Sequence, residues 1–280
     1  MEENKIYYGD CMEVLPEIEG KSINLILCDL PYEITQNKWD TKLNLKELFK
    51  EYWRILKEDG TIVLTASQPF TTALSQINSY LKLSGSALIK VRTSGFLNAN
   101  RMPLRSHESI LVFYKKLGKY NPQFVNGHKS HSKGKMKTDV NYNYGKYGKV
   151  DNTEIYGNKK FPKSILAFIK PHPPVHPTQK PVELFEYLIR TYTNKGDLVL
   201  DNCIGSGTTA VACKQTNRRF IGIDNNQEYV NMANKRLNFT TVGDFNLPTE
   251  ESLISVKRES ADSPNSPHTD NKKLEEANFS

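Results

Sequence analysis

Short apolar runs stopped by polar or glycine-containing turns alternate along this chain with stretches whose apolar positions recur at helical spacing. A short run bounded by turn residues suits a buried parallel strand, and an i, i+3, i+4 recurrence suits an amphipathic helix. Strands are expected at 5–8, at Leu25-Ile26-Leu27 running up to Asp29, and at 61–66, 87–91, 109–114, 197–200 and 219–223. Helices are expected at 12–18, 43–56, 69–83, 181–194, 208–215 and 227–237. Leu45, Leu48, Phe49, Tyr52, Ile55 and Leu56 mark one face of the second helix, and Gly60 is expected to close it. Pro69 and Pro181 open two others, and Lys195-Gly196 ends the one after Pro181. Strands alternating with helices predict an α/β fold, a doubly wound and mostly parallel sheet wrapped by helices.

Two stretches break this rhythm. Residues 117–170 are rich in Gly, Asn, Tyr, Lys and His and show no sustained period. Structureless loops of such length inside compact domains are usually functional. Beyond Pro248 apolar residues are few, and 248–280 is expected to be a mobile polar tail. The organisation expected is therefore 1–116 and 171–247 as two halves of one domain, 117–170 as an insertion between them, and the tail.

Composition narrows the class. With 280 residues, 25% charged and 10% aromatic, this is an ordinary globular chain, large enough for one substantial core. No apolar run approaches a membrane span and the first residues lack a signal-peptide pattern, so a cytoplasmic protein without a membrane partner is expected. The four cysteines are scattered without a Cys-x-x-Cys pair, which suits reduced thiols. No metal site is expected, since His172 and His176 lie among prolines without acids or Cys nearby. The net charge of +7 is unevenly spread: residues 90–170 hold seventeen Lys/Arg against four Asp/Glu, whereas 243–280 hold eight acids against four bases. A basic middle suits a polyanion. The run Asn141-Tyr142-Asn143-Tyr144-Gly145-Lys146-Tyr147-Gly148-Lys149 interleaves bases for phosphate contact with aromatics that stack on nucleobases.

Two constellations carry chemistry. The first is Asp29-Leu30-Pro31-Tyr32 at the end of a strand, with Trp39 a few residues on. Ligands of open α/β sheets sit beyond the carboxyl ends of such strands. The second begins at Asp201, where a strand runs into Asn202-Cys203-Ile204-Gly205-Ser206-Gly207-Thr208 and then a helix. Glycines there allow a tight turn and close approach of a ligand to the backbone, and Asp224, ending the next strand, is placed for ribose hydroxyls. The spacing is neither Gly-x-Gly-x-x-Gly nor a Gly-Lys-Ser/Thr phosphate loop. Asp201 would repel a phosphate but suits a cationic amino-acid head. S-adenosylmethionine, a nucleoside bearing an amino acid and a positive sulfur, satisfies all three features.

At these residues the chain resembles the amino-group DNA methyltransferases of the β arrangement, in which the catalytic motif precedes the cofactor motif. The resembling blocks are Gly9-Asp10-Cys11, Asp29-Leu30-Pro31-Tyr32, His176-Pro177-Thr178-Gln179-Lys180-Pro181, and Asp201 through Thr208 with Asp224. Arg105-Ser106-His107-Glu108 and Tyr120-Asn121-Pro122 are similar to segments of the same enzymes. One departure is Leu30, which stands where that family usually has Pro.

The resemblance implies a methyltransferase (Rossmann-like) sheet, with 117–170 as the target-recognition segment, acting on double-stranded DNA with S-adenosylmethionine as cofactor. It implies that Asp29 and the Leu30 carbonyl each accept a hydrogen of an adenine N6 amine, with Pro31 shaping the turn and Tyr32 stacking on a base extruded from the duplex. It assigns the cofactor's adenine to Asp10 and Cys11 and its ribose to Asp224. The methionine part falls to Asp201, Gly205, Ser206, Gly207 and Thr208, with Thr178 and Lys180 on its carboxylate. N4-cytosine methylation is the alternative, an outcome more often accompanied by Ser at the position of Asp29. An RNA methyltransferase or a non-catalytic DNA-binding relative is a further reading. No Pro-Cys occurs, as cytosine C5 chemistry would require. Trp39 belongs either to a loop that orders on DNA or cofactor, or to packing on the sheet. Homodimerisation, a partner restriction endonuclease and the recognised base sequence stay open.

Overall fold

A computed structural model describes residues 1–31, 43–77, 82–127, 158–168 and 179–240, with backbone alone for 82–94. Tyr32, Trp39, the 141–149 run, His172, His176, Thr178 and the tail lie outside the described residues.

Eight strands form one sheet: β1 (Lys5–Tyr8), β2 (Ile23–Cys28), β3 (Leu56–Ala66), β4 (Lys82–Ser94), β5 (Arg105–Tyr114), β8 (Ile165–Phe168), β9 (Leu198–Asp201) and β10 (Arg219–Asp224). Their order is β1-β10-β9-β2-β3-β5-β4-β8. Pairing is parallel from β1 through β3, and β5 alone among these strands runs against its neighbours. A hairpin explains the exception, since the short 95–104 connection can join β4 to β5 only as an antiparallel pair. Two-residue strands β6 (Val125–Asn126) and β7 (Lys159–Lys160) pair separately.

Alternation of side chains across the sheet divides the core into two layers. Ile26, Cys28, Ile62, Leu64, Leu200 and Ile223 face one side, where they meet α1 (Cys11–Val14), α2 (Leu45–Ile55) and α3 (Phe70–Gln76). Leu25, Leu27, Val63, Ile110 and Val199 face the other, against α4 (Val182–Tyr192), α5 (Thr208–Gln215) and α6 (Gln227–Asn238). Leu48, Phe49, Tyr52 and Ile55 bury the expected stripe of α2, and Leu184, Phe185, Leu188 and Ile189 that of α4. Each such large apolar side chain contributes roughly 1.5–3 kcal/mol on burial. The doubly wound, mostly parallel α/β architecture is the one the hydrophobic pattern predicts.

Several boundaries differ from the sequence expectation. Gly60 does not close α2: the helix ends at Ile55 and β3 begins at Leu56, with Gly60 inside the strand. The helix expected over 69–83 stops at Gln76, and Lys82 and Leu83 already pair with Tyr114 and Phe113 of β5. The ladder with β5 outweighs the helical spacing there. Within 117–170, Ile165–Phe168 joins the main sheet beside β4. The chain leaving β5 is pinned to the end of α4: Asn121 N donates to the Thr191 carbonyl at 2.7 Å and Lys119 pairs with Asp197 at 2.8 Å.

Candidate active site at the carboxyl edge of the sheet

Because β1, β10, β9, β2 and β3 run the same way, their carboxyl ends share one edge. Register places the chemistry-bearing residues there: Tyr8 pairs with Asp224, Gly222 with Asp201, Ile26 with Leu200 and Cys28 with Leu64. Asp29, Asp201, Asp224 and Asp10, distant in sequence, therefore gather at the ends of adjacent strands. The Asn202 amide donates to Cys28 Sγ at 3.3 Å, tying the segment after β9 to the last residue of β2.

The glycine turn is held from several directions. Gly205 N donates to Asp224 Oδ2 at 2.8 Å, and the other oxygen of Asp224 takes the Asn226 amide at 2.9 Å. Gly205 has φ +49°, and open space lies where its Cβ would be. Gly207, at φ +81°, caps α5, and a Cβ there would lie 2.7 Å from that of Ala233 in α6. Both positions need glycine's freedom, and at Gly207 helix contact adds to it. Ser206 is taken up by Arg236, whose Nη1 donates to its Oγ at 3.0 Å. The hydroxyl of Asp201's neighbour across the turn, Thr209, donates to Asp201 Oδ2, and the Cys203 amide donates to Oδ1 at 3.1 Å. Asp201 is fully enclosed, and burial pushes its carboxyl up to about 7, against these hydrogen bonds and with a further push from the Asp29 charge.

Asp10 caps α1, accepting the Met12 amide at 2.8 Å, while the Gly9 amide donates to the Asp224 carbonyl at 3.0 Å. Cys11 is buried beneath this turn, against Cys203, whose contact lowers the Cys11 thiol's pKa. Behind the edge, Tyr52 donates to Asn202 Oδ1, and the Cys28 thiol does so at 3.0 Å. Burial raises the Cys28 thiol well above its ordinary value, making it a packing group rather than a nucleophile.

Asp29 is half-buried and bound on both oxygens. Thr65 on β3 donates its hydroxyl to Oδ1, and Lys180 Nζ stands 3.0 Å from Oδ2. The same ammonium is 3.1 Å from Glu108 Oε2 on β5. Leu30 buries its side chain in the core cluster that also holds Phe70 and Leu74, and Pro31 is partly exposed. Thr65 carries no local signal of a site in the sequence, and Glu108 is marked there only as the end of the Arg105-Ser106-His107-Glu108 block, without a role. They come to Asp29 through strand register, which an apolar pattern does not reveal.

Further along the edge, the 95–104 tip of the β4–β5 hairpin projects past the sheet with Phe96 and Leu97 78% and 98% exposed, beside the exposed Arg101. No helix among the described residues is long and apolar enough to cross a membrane. Among the described residues no group of three or more His, Cys, Asp or Glu is placed to hold a metal ion.

Residues 23–235 match the family model described as DNA methylase. Over 259 residues, 85% of this chain, the sequence is 31% identical to the type II methyltransferase M1.MboII of Moraxella bovis, 98% of which is covered. Over 252 residues it is 29% identical to the DNA adenine methyltransferase YhdJ of Escherichia coli K12, covering 84% of this chain and 83% of that one. Among solved structures, the complex of M1.HpyAVI with S-adenosylmethionine (SAM) superposes with a TM-score of 0.55 at 26% identity, covering 83% of this chain and 99% of that one.

Proposed function

This chain belongs to the DNA methylase family, and on that premise we propose that it transfers the methyl group of S-adenosylmethionine to the N6 amine of adenine in duplex DNA. The observation that carries this reading is the shared edge: Asp29 at the tip of β2 beside the Gly205–Thr208 turn at the tip of β9.

The residues present fit the cofactor. The turn at Gly205 leaves open space at its Cβ position, and its backbone is partly exposed. Asp224, at the tip of β10 and bonded to that turn, is the proposed acceptor for the ribose hydroxyls. Carboxylate oxygens accept more than one donor, so it can hold the turn and bind ribose together. Asp10 and Cys11 lie beside the main-chain contact between Gly9 and Asp224, suited to the adenine. Asp201, which takes the Thr209 hydroxyl on one oxygen and the Cys203 amide on the other, fixes the start of the turn from beneath. When bound, the cofactor supplies an electrophilic methyl on a positive sulfur.

An adenine N6 amine is a poor nucleophile because its lone pair is delocalised into the ring. In this proposal the Asp29 carboxylate and the Leu30 carbonyl each accept one amine hydrogen, localising the lone pair and aiming it at the methyl. Preorganised acceptors and in-line alignment do the work, with no covalent enzyme intermediate. Tyr32 is proposed to stack on the extruded base, since a base in the duplex cannot reach this edge. The exposed 95–104 tip, its arginine and the basic 117–170 segment suit the DNA flanking that base.

An Asp rather than Ser before Leu30-Pro31-Tyr32 supports adenine over cytosine N4. The test is expression in a host free of DNA methylation, followed by nucleoside mass analysis and mapping of modified bases. N6-methyladenine at a defined site is expected. N4-methylcytosine would replace the adenine assignment, and unmodified DNA would overturn the proposal.

A further inference from the structure

We propose that Glu108 is a positioning residue for methyl transfer, acting on Asp29 through Lys180. The inference rests on Asp29 being the acceptor of the target amine. Glu108, Lys180, Asp29 and Thr65 form one connected group: Lys180 Nζ is 3.1 Å from Glu108 Oε2 and 3.0 Å from Asp29 Oδ2, and Thr65 donates to Asp29 Oδ1.

The sheet makes this group unavoidable. Thr65 pairs with Ile110, and Glu108 lies two residues from Ile110 on β5, hence on the same face. Leu27, Val63 and Ile110 pack toward α4 on that face, so Asp29, Thr65 and Glu108 continue it at the carboxyl edge. Lys180, just before α4, enters from above. Each of the three strands and the segment before α4 thereby delivers one polar side chain to the same spot.

Burial shows that more than packing is served. The side chains of Lys180 and Glu108 are each 7% exposed, whereas that of Asp29 is 23% exposed. Burying charges is costly, and apolar residues of similar volume often stabilise a fold better than an enclosed ion pair. Two carboxylates divide one ammonium between them. The more open of the two is Asp29, where N–H donors of a substrate amine would arrive.

Glu108 has two effects in this arrangement. It anchors Lys180, whose flexible stem would otherwise leave the plane of the Asp29 carboxylate free to turn. It also shares the ammonium. A lone Lys180–Asp29 pair would draw the carboxylate onto the lysine and weaken it as an acceptor, whereas a shared lysine fixes Asp29 without quenching it. Lys180, which the resemblance directs to the cofactor's carboxylate, is here assigned to the catalytic acid.

The test compares Glu108→Gln and Glu108→Asp with the wild-type enzyme in steady-state methyl transfer to DNA, with SAM binding followed by calorimetry. For Glu108→Gln, which keeps the shape and removes the charge, kcat is expected to fall roughly 10- to 100-fold. The KM for SAM and for DNA and the SAM Kd are expected to stay within about twofold, the signature of a group felt mainly in the transition state. Glu108→Asp, which restores the charge on a shorter stem, should recover part of the loss. Wild-type kcat in Glu108→Gln overturns the inference. Loss of SAM binding in both variants, or a raised KM for SAM with unchanged kcat, also overturns it, in favour of a structural or cofactor role. A wild-type enzyme that methylates no nucleobase amine would instead refute the reading of Asp29, and this inference with it.

Discussion

The amide of Gly205 donates to the carboxylate of Asp224 across 2.8 Å, so the turn after β9 and the acid ending β10 form a single unit. Asp224→Ala removes the acceptor of both that amide and the Asn226 amide. A hydrogen bond to a charged group contributes roughly 1.5–3 kcal/mol. SAM affinity should therefore weaken by about 10- to 100-fold, read by calorimetric titration. Unaltered affinity would remove Asp224 from the cofactor site.

Asp29→Ala separates chemistry from binding. The variant loses the acceptor proposed for the target amine but leaves the hydrogen bond from Gly205 to Asp224 in place. Its kcat should fall by at least about a thousandfold, in line with loss of a preorganised electrostatic partner. Its SAM dissociation constant should be nearly that of the wild type. Turnover at the wild-type rate would discard the assignment.

Asp201 predicts a pH dependence. Its folded-state pKa of about 7 lies above the ordinary carboxylate value of 3.8, because burial favours the neutral acid. Between those values the folded protein holds a proton that the unfolded chain has released. Stability contributed by this group is therefore present at low pH, falls as pH rises from about 4 to about 7, and is level above that, with a slope of up to about 1.4 kcal/mol per pH unit. In urea unfolding without SAM, the wild-type stability minus that of Asp201→Asn should decline over this window. A difference that rises with pH would contradict the buried neutral acid.

The hairpin tip should act on DNA alone. Phe96 and Leu97 stand clear of the core at the edge that carries Asp29. Replacing both with Ala should leave the melting temperature and SAM binding unchanged. DNA affinity should weaken by several-fold or more, since stacking or wedging an apolar side chain against a base contributes roughly 1–3 kcal/mol. Gel-shift titration of the double variant provides the measurement, and undiminished affinity would detach the tip from the DNA surface.

Much of this molecule can be read from the chain without coordinates, for identifiable reasons. Leu25-Ile26-Leu27 before Asp29, and Asp201 before its glycines, announce parallel strands that end on chemistry, and such strands bring their tips together whatever lies between them in sequence. Strand direction is less legible. Ser109 through Tyr114 is apolar in the same way whether β5 runs with its neighbours or against them, and only the short 95–104 connection decides. Lys82 and Leu83 suit a helix locally and become strand through pairing with β5. Thr65 is an ordinary strand residue until register sets it beside Asp29, and Glu108, though it ends a block that resembles the family, gives no sign in the sequence that it meets Lys180. Those meetings come from the sheet.

Leu30 occupies a position usually filled by Pro in the enzymes this chain resembles, and its side chain is nearly inaccessible, packed in the cluster that includes Phe70 and Leu74. A pyrrolidine ring stiffens a turn through its own bonds and is indifferent to its neighbours. A leucine stiffens it only as far as the surrounding apolar layer is itself firm. With the Leu30 carbonyl as the proposed acceptor of the target amine, heating that loosens this layer will blur its aim while the helices and strands are still intact, so turnover should fade before the fold does.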